Sequence, residues 1–151
     1  QPRDVARDRA KDLTTFQRRN FVRGRLGLII DGTGKDFNKI AYQARELEGF
    51  GYDTHMIFVN TSLDVALQRN KERDRSIPEP DAVTMWNAVQ RNIGKFSNFF
   101  KGNFIIVDNN NKDDDMMQEV FKRVRALATR KVKNRRGLQW IRGELEKKKR
   151  K

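Results

Sequence analysis

Three short apolar runs, each followed by small polar residues, constrain the fold of this 151-residue chain more than any other feature. The runs are Leu26–Ile30, Thr54–Val59 and Phe104–Val107. Continuous apolar runs of this length, without apolar–polar alternation, are typical of strands buried on both faces of a parallel sheet. The sequence therefore predicts three parallel strands.

Apolar residues at helical spacing separate and flank these runs. The spacing predicts helices over residues 3–23, 37–48 and 63–70, one starting at Asp81 and one ending near Thr129, and Ser62 is a good N-cap for the third helix. Alternating strands and helices imply right-handed crossovers and helices on both faces of the sheet. We predict an α/β fold, with a folded domain over residues 1–129 and a basic tail, helical or disordered, over residues 130–151.

The composition excludes several classes of protein. The chain has no Cys, and His55 is its single histidine, so neither a disulfide scaffold nor a zinc site is expected. No metal ligands are assigned. No apolar run approaches the roughly 20 residues of a membrane-spanning helix, and no signal-peptide pattern opens the chain. We expect a soluble cytoplasmic protein without a membrane partner.

The net charge of +13 is concentrated at the two ends of the chain. Residues 130–151 hold 11 basic and two acidic residues, whereas residues 26–129 hold 14 basic and 15 acidic residues. One interpretation is a non-catalytic nucleic-acid-binding module that uses these ends, with Trp140 as a stacking group. The other is a solubilising tail over residues 130–151 that binds nucleic acid only weakly and without sequence preference.

Each apolar run ends in residues suited to a ligand site. Asp31-Gly32-Thr33-Gly34 follows the first run, Asn60-Thr61-Ser62 the second and Asp108-Asn109 the third. Ligands of open parallel sheets bind beyond the carboxyl ends of the strands, so these segments should converge at one edge. The Asp31 carboxylate could hold Mg²⁺ through water or accept a substrate hydroxyl, or it could instead satisfy amides of a glycine-rich turn.

Three arginines flank a polar segment between the second and third runs. Arg69, Arg73 and Arg75 could stabilise the charge that develops during phosphoryl transfer, if a lid carries them to the site. The alternative is a solvated helix end, where cations are favourable. Gly32-Thr33-Gly34-Lys35 is not a phosphate-binding loop, because it lacks the GxxxxGK[ST] spacing, and this motif occurs nowhere in the chain.

The order and spacing of five segments resemble zeta-toxin-like P-loop kinases. The segments are Leu26 to Lys35 (LGLIIDGTGK), Gly51 to Asp53 (GYD), Phe58 to Ser62 (FVNTS), Arg69 to Pro78 (RNKERDRSIP) and Asn103 to Asn109 (NFIIVDN). The chain is most similar to the predicted P-loop kinases of large tailed bacteriophages, over nearly its whole length. Residues 1–129 would then be a partial kinase domain, located in the host cytoplasm if the protein is phage-encoded.

The resemblance implies a transferase that moves phosphate from ATP or GTP, with Mg²⁺, to a hydroxyl of a small molecule or nucleotide. Asp31, Gly32 and Thr33 would bind the acceptor, and Asp108 and Asn109 would lie near the nucleoside. Arg69, Arg73 and Arg75 would be catalytic residues of the lid.

The phosphate-binding loop of such a kinase, with its first two strands, would precede Gln1. We therefore expect this chain alone to be inactive and to bind no cofactor. The sheet order of the family implies that its absent first strand lies between Leu26–Ile30 and Thr54–Val59. These two runs should either pair directly or leave exposed sheet edges.

Overall fold

The computed structural model describes residues 2–111 and 114–150, and the chain divides into two compact units, Gln1–Gly32 and Thr33–Lys151. In the first unit, helix α1 (Pro2–Arg23) ends as predicted at Gly24, whose N–H donates to the carbonyl of Asn20. Arg25 adopts a left-handed conformation (φ 54°), which turns the chain out of the helix.

The predicted strand at Leu26–Ile30 is wrong. These residues have no regular secondary structure, and the side chain of Ile29 is fully exposed. A strand is stabilised by the neighbour with which it shares hydrogen bonds and by the layers that cover its faces. The apolar composition of this run indicates a need for burial, but the first unit contains only α1 beside it, and a single helix offers no edge for pairing.

The second unit alternates helices and strands. Its elements are α2 (Phe37–Gly49), β1 (Met56–Asn60), α3 (Leu63–Lys71), α4 (Glu79–Phe100), a 3₁₀ turn (Lys101–Asn103), β2 (Phe104–Asp108), α5 (Asp114–Ala128) and α6 (Arg135–Lys149). Ser62 caps α3 as predicted, because its Oγ accepts the N–H of Val65. Asp36 caps α2 in the same way through the N–H of Lys39, at 3.0 Å.

The described residues form one parallel sheet of two strands, not three. β1 pairs with β2 in a register that sets Met56 opposite Phe104 and Asn60 opposite Asp108. The second and third apolar runs of the sequence are therefore confirmed as strands. Within the described part of the chain each strand keeps one edge without a strand neighbour. The expectation that Leu26–Ile30 and Thr54–Val59 are strands on either side of a gap is not met, because Leu26–Ile30 forms no strand.

Helices cover both faces of this sheet, as predicted. On one face Phe58 of β1 packs with Ala44 of α2 and with Phe96 and Phe100 of α4. On the other face Ile105 and Val107 of β2 pack against Leu127 of α5. Phe96 is fully buried, and its ring lies 6.3 Å from that of Phe58 and 5.4 Å from that of Phe37, within the range of favourable aromatic pairs.

Residues 130–149 are attached to the segment between α2 and β1. The Asn134 side chain caps α6 and donates its amide N–H groups to the carbonyls of Glu48 and Tyr52, at 2.9 and 3.0 Å. The backbones of Gly137 and Gly51 touch, and Gly51 has a φ of 104°. Helix α6 is therefore held at its first turn.

None of the helices in the described residues is long and apolar enough to cross a membrane.

The glycine contact predicts the outcome of a matched pair of substitutions in α6. A Cβ atom at Gly137 would overlap the carbonyl oxygen of Gly51, whereas one at Gly143 meets nothing within 4 Å. We expect Gly137→Ala to lower the free energy of unfolding by about 1–3 kcal/mol, as overpacking does. Gly143→Ala should raise it by up to about 1 kcal/mol, since alanine is the better helix former. Urea denaturation of both variants measures the difference, and equal effects would contradict the contact.

The environment of His55 predicts how stability depends on pH. Burial and then the nearby Arg130 lower the pKa of His55 below 6.5, against an opposing contribution from Asp53. The folded state therefore binds fewer protons than the unfolded state, and stability is lost as the pH falls below about 6.5. We expect the loss in urea midpoint between pH 7.5 and pH 5.5 to be smaller in His55→Gln than in the native chain. An identical loss in both proteins would show that His55 does not contribute.

Candidate functional site

Two of the predicted polar segments meet at the carboxyl ends of the strands. Asn60 and Asp108 are partners in the register, and the N–H of Asn109 donates to the carbonyl of Asn60 at 2.8 Å. We call residues 60–62 and 108–110 the rim. The convergence predicted for these two strand ends is confirmed. Asp31 and Gly32 belong to the first unit, so their part in a site stays a prediction.

Asn110 joins the two loops of the rim. Its Oδ1 accepts the backbone N–H of Ser62 at 2.6 Å, and its own N–H and Nδ2 donate to Oδ1 of Asp108 at 2.9 and 2.7 Å. Asp108 is exposed, and this pair of bonds orients its carboxylate. Sequence reasoning missed Asn110, although an Asp followed two residues later by Asn is a common side-chain turn.

Helix α4 supports the rim from one side. Gln90 donates its Nε2 to Oδ1 of Asn60 at 2.7 Å, and the indole N–H of Trp86 donates to the carbonyl of Thr61 at 3.0 Å. Both α4 side chains are half-buried, and charge-neutral bonds of this kind hold a loop in place with a modest net gain in stability. Trp86 is therefore fixed by the rim carbonyl, and Gln90 is a second supporting residue that the sequence pattern did not reveal.

The three predicted arginines occupy two different environments. Arg69 lies in α3, is half-buried and donates Nη2 to the carbonyl of Asn110 at 3.3 Å. Arg73 and Arg75 lie in the exposed segment that follows α3. The structure therefore brings Arg69 to the rim, where it fastens the loop after β2. Arg73 and Arg75 present their guanidinium groups to solvent.

The segment that carries Arg73 and Arg75 stands beyond the rim. Gln90 contacts the rim, and Phe100 packs beside the start of β2, so α4 runs antiparallel to the strands. Its first residue, Glu79, lies 11 positions before Gln90, or about 16 Å along the helix axis. Residues 72–78 therefore join α4 beyond the carboxyl ends of the strands. A lid over this site would be attached at that position.

Asn70 closes the base of this segment. Its Nδ2 donates to the carbonyl of Ile77 at 2.8 Å, and its Oδ1 accepts the N–H of Ile77 at 3.1 Å. The exposed ion pair between Lys71 and Glu79, at 3.2 Å, adds little to stability because both charges remain solvated. All residues from Lys71 to Pro80 are exposed. A short loop pinned at its base and solvated over its length can move without disturbing the core.

The start of the second unit is attached to α4. The side-chain amide of Asn92, which is buried, donates to the carbonyls of Gly34 and Lys35 at 3.0 and 2.9 Å. Gly34 is buried with a φ of 73°, in contact distance of Phe58 and Val89. Thr33 precedes this fixed glycine and is exposed. Its part in a ligand site stays a prediction.

The described side chains, those of residues 4–111 and 116–150, do not fit the phosphates of a nucleotide or its Mg²⁺. An open depression of about 410 Å³ lies at the start of α2, lined in part by Lys35 and Lys95, but the Asp36 carboxylate there accepts the N–H of Lys39 and would repel phosphate. Among these side chains no group of three or more acidic, His or Cys residues could hold a metal ion. The rim offers one oriented carboxylate, Asp108, together with neutral amides, which suits hydroxyl and amine groups.

Comparisons of this chain with protein-family models, with curated protein sequences and with solved structures found no match.

The geometry of the rim predicts different effects for two neighbouring asparagines. Asn110→Ala removes the Oδ1 acceptor of the Ser62 N–H and the Nδ2 donor to Asp108, whereas Asn111→Ala changes an exposed neighbour. We expect Asn110→Ala to cost about 1–2 kcal/mol and Asn111→Ala less than about 0.5 kcal/mol. Hydrogen exchange should also show faster exchange of the Ser62 amide in Asn110→Ala alone. Unchanged protection of Ser62 would contradict the bridge.

Proposed function

We propose that this chain contributes the C-terminal part of a nucleotide-dependent kinase of the P-loop class, which transfers phosphate to a hydroxyl of a small molecule or nucleotide. The single observation that carries the proposal is the rim, with an arginine-bearing segment attached above it. Parallel sheets bind ligands at this end, and phosphoryl transfer requires mobile cations that approach the transferring group.

The roles follow from where the side chains lie. Asp108 and Asn109, at the end of β2, suit a nucleoside, whose hydroxyl and amine groups donate to carboxylates and amides. Thr33 would bind the acceptor, a role that the resemblance also implies for Asp31 and Gly32. Arg73 and Arg75 are exposed, so their side chains can move onto a bound ligand. Arg69 is already bonded to the carbonyl of Asn110, so we assign it a positioning role.

The phosphate donor, ATP or GTP with Mg²⁺, would supply the transferring group, but none of the side chains that the structure describes fits a cradle for its phosphates. The chain contains no GxxxxGK[ST] motif, and the first turn of α2 is occupied by Asp36. We therefore expect an ATP titration of this chain alone, at millimolar Mg²⁺, to show a Kd weaker than about 1 mM. A tighter Kd would locate the nucleotide site within these residues and contradict the assignment.

The lid role predicts a kinetic difference between exposed arginines. In the reading frame that encodes this chain, transfer of labelled phosphate from ATP to a panel of sugar and nucleoside hydroxyls measures activity. We expect Arg73→Ala and Arg75→Ala to lower kcat by about 10³-fold with a much smaller change in KM, as loss of a charge-stabilising arginine does. Arg91→Ala, an exposed arginine of α4, is the matched control.

Equal activity in the lid variants and in Arg91→Ala would remove Arg73 and Arg75 from the mechanism. Absence of transfer by the native protein to every acceptor, in a reading frame that also lacks GxxxxGK[ST], would overturn the kinase proposal.

A further inference from the structure

The positive charge of the second unit is concentrated in α5, in α6 and in the residues between them. Residues 120–150 hold 13 Lys and Arg residues and two acidic residues, Glu144 and Glu146. All 13 basic side chains are exposed. Only one of these acidic residues, Glu144, forms an ion pair within this stretch in the described structure, with Lys147 at 2.7 Å. We call residues 120–150 the basic surface.

The basic surface is ordered by bonds to the neutral body of the unit. Lys133 donates its N–H to the Asp53 carboxylate at 2.7 Å, and Arg136 donates Nη1 to the carbonyl of Gly49 at 2.8 Å. Arg130 reaches Oδ1 of Asn103 at 3.5 Å. Asp53 and Asn103 lie just before the two strands, so this part of the surface is fixed at the amino end of the sheet. The rim is at the other end, one five-residue strand or roughly 16 Å away.

Helix α6 arranges its charges in a row. Arg135, Arg142 and Lys149 are seven residues apart, so they lie on one side of the helix over about 21 Å. Such a row matches an extended polyanion, because it offers repeated contacts at a spacing that a single small anion cannot use.

An exposed aromatic ring lies within the same stretch. Phe121 of α5 is 63% exposed, and Lys122 follows it in sequence. Arg125 is four residues further along α5 and therefore lies on the same face as Phe121. Val120 and Leu127 turn the other side of α5 onto β2. A solvent-exposed phenyl ring costs hydrophobic free energy unless a partner covers it, and flanking cations favour a partner that is both flat and anionic.

From this combination we propose that the basic surface binds single-stranded nucleic acid. The exposed Lys and Arg side chains contact the phosphate backbone, and Phe121 stacks on a base. Lipid headgroups share the negative charge but offer no flat ring, and the exposed large apolar side chains of the basic surface are spread over α5, α6 and the residues between them: Phe121, Val132, Leu138 and Leu145. A surface that relied on membrane insertion would require a broader apolar face. This proposal does not depend on the kinase assignment.

Fluorescence anisotropy with a labelled 20-nucleotide oligothymidine tests the stacking role. We expect Phe121→Ala to weaken binding by about 10-fold, since one base–aromatic stack contributes about 1–3 kcal/mol. Tyr42→Ala, which removes an aromatic ring of α2 that is 70% exposed, is the matched control and should leave the Kd unchanged. Equal effects of the two substitutions would exclude a specific role for Phe121.

A second experiment tests the role of charge with two variants that have the same change in net charge. One replaces Lys147, Lys148, Lys149 and Arg150 with Gln, and the other replaces Arg7, Arg9, Arg19 and Arg23 of α1 with Gln. We expect only the first to weaken binding between 50 and 200 mM salt and to reduce the slope of log Kd against log salt, because each phosphate contact contributes about 0.7 to that slope. Equal losses would mean that net charge alone drives binding.

Two further probes distinguish other sources of negative charge. A 20-base-pair duplex should bind more weakly than the single strand, and Phe121→Ala should not affect it, because paired bases are already stacked. Vesicles of phosphatidylcholine with 30% phosphatidylserine should bind more weakly than the oligonucleotide at equal salt. Tighter binding to the vesicles, or to the duplex, would overturn the assignment to single strands.

Discussion

The in-register parallel pairing of β1 with β2 is the interaction on which the rest of the second unit depends. It sets Phe58 over Phe96 and Phe100 on one face, and it opens the other face of β2 to Leu127 of α5. The same register sets Asn60 opposite Asp108. A shift of one residue would move Phe58 to the opposite face and separate the two polar ends, so the core and the rim are specified by one alignment.

Sequence patterns predicted most elements of this arrangement because those elements depend on local chemistry. The Ser62 cap, the end of α1 at Arg23 and the apolar stripe of α2 are all encoded within a few neighbouring residues. Leu26–Ile30 shows the limit of such patterns. An apolar run reports that its side chains favour burial, but it does not specify the strand that would pair with it, and pairing depends on the rest of the fold.

The candidate site was predictable only in part, for a related reason. Strand ends can be found in the sequence, so Asn60 and Asp108 are predictable as site residues from the sequence alone. The bonds that support them join residues far apart in the chain: Gln90 to Asn60, and Asn110 to Ser62. Arg69 is predicted as a lid residue because it flanks a polar segment, yet its bond to Asn110 depends on where β2 ends relative to α3. A position beside a polar segment does not specify the partner that the side chain meets.

The sheet also separates two kinds of chemistry. The rim presents neutral amides and one carboxylate, whereas the fixed part of the basic surface lies at the amino end, roughly 16 Å away. At 0.1 M salt the Debye length is about 10 Å, so the field of Arg130 and Lys133 is largely screened at the rim. Arg123 of α5 is closer, because its Nη1 donates to the carbonyl of Ile106 at 3.4 Å, so only the fixed part of the basic surface is electrostatically separated from the rim. Coupling would have to pass through the packed strands, and their shared core gives them little freedom to shift separately.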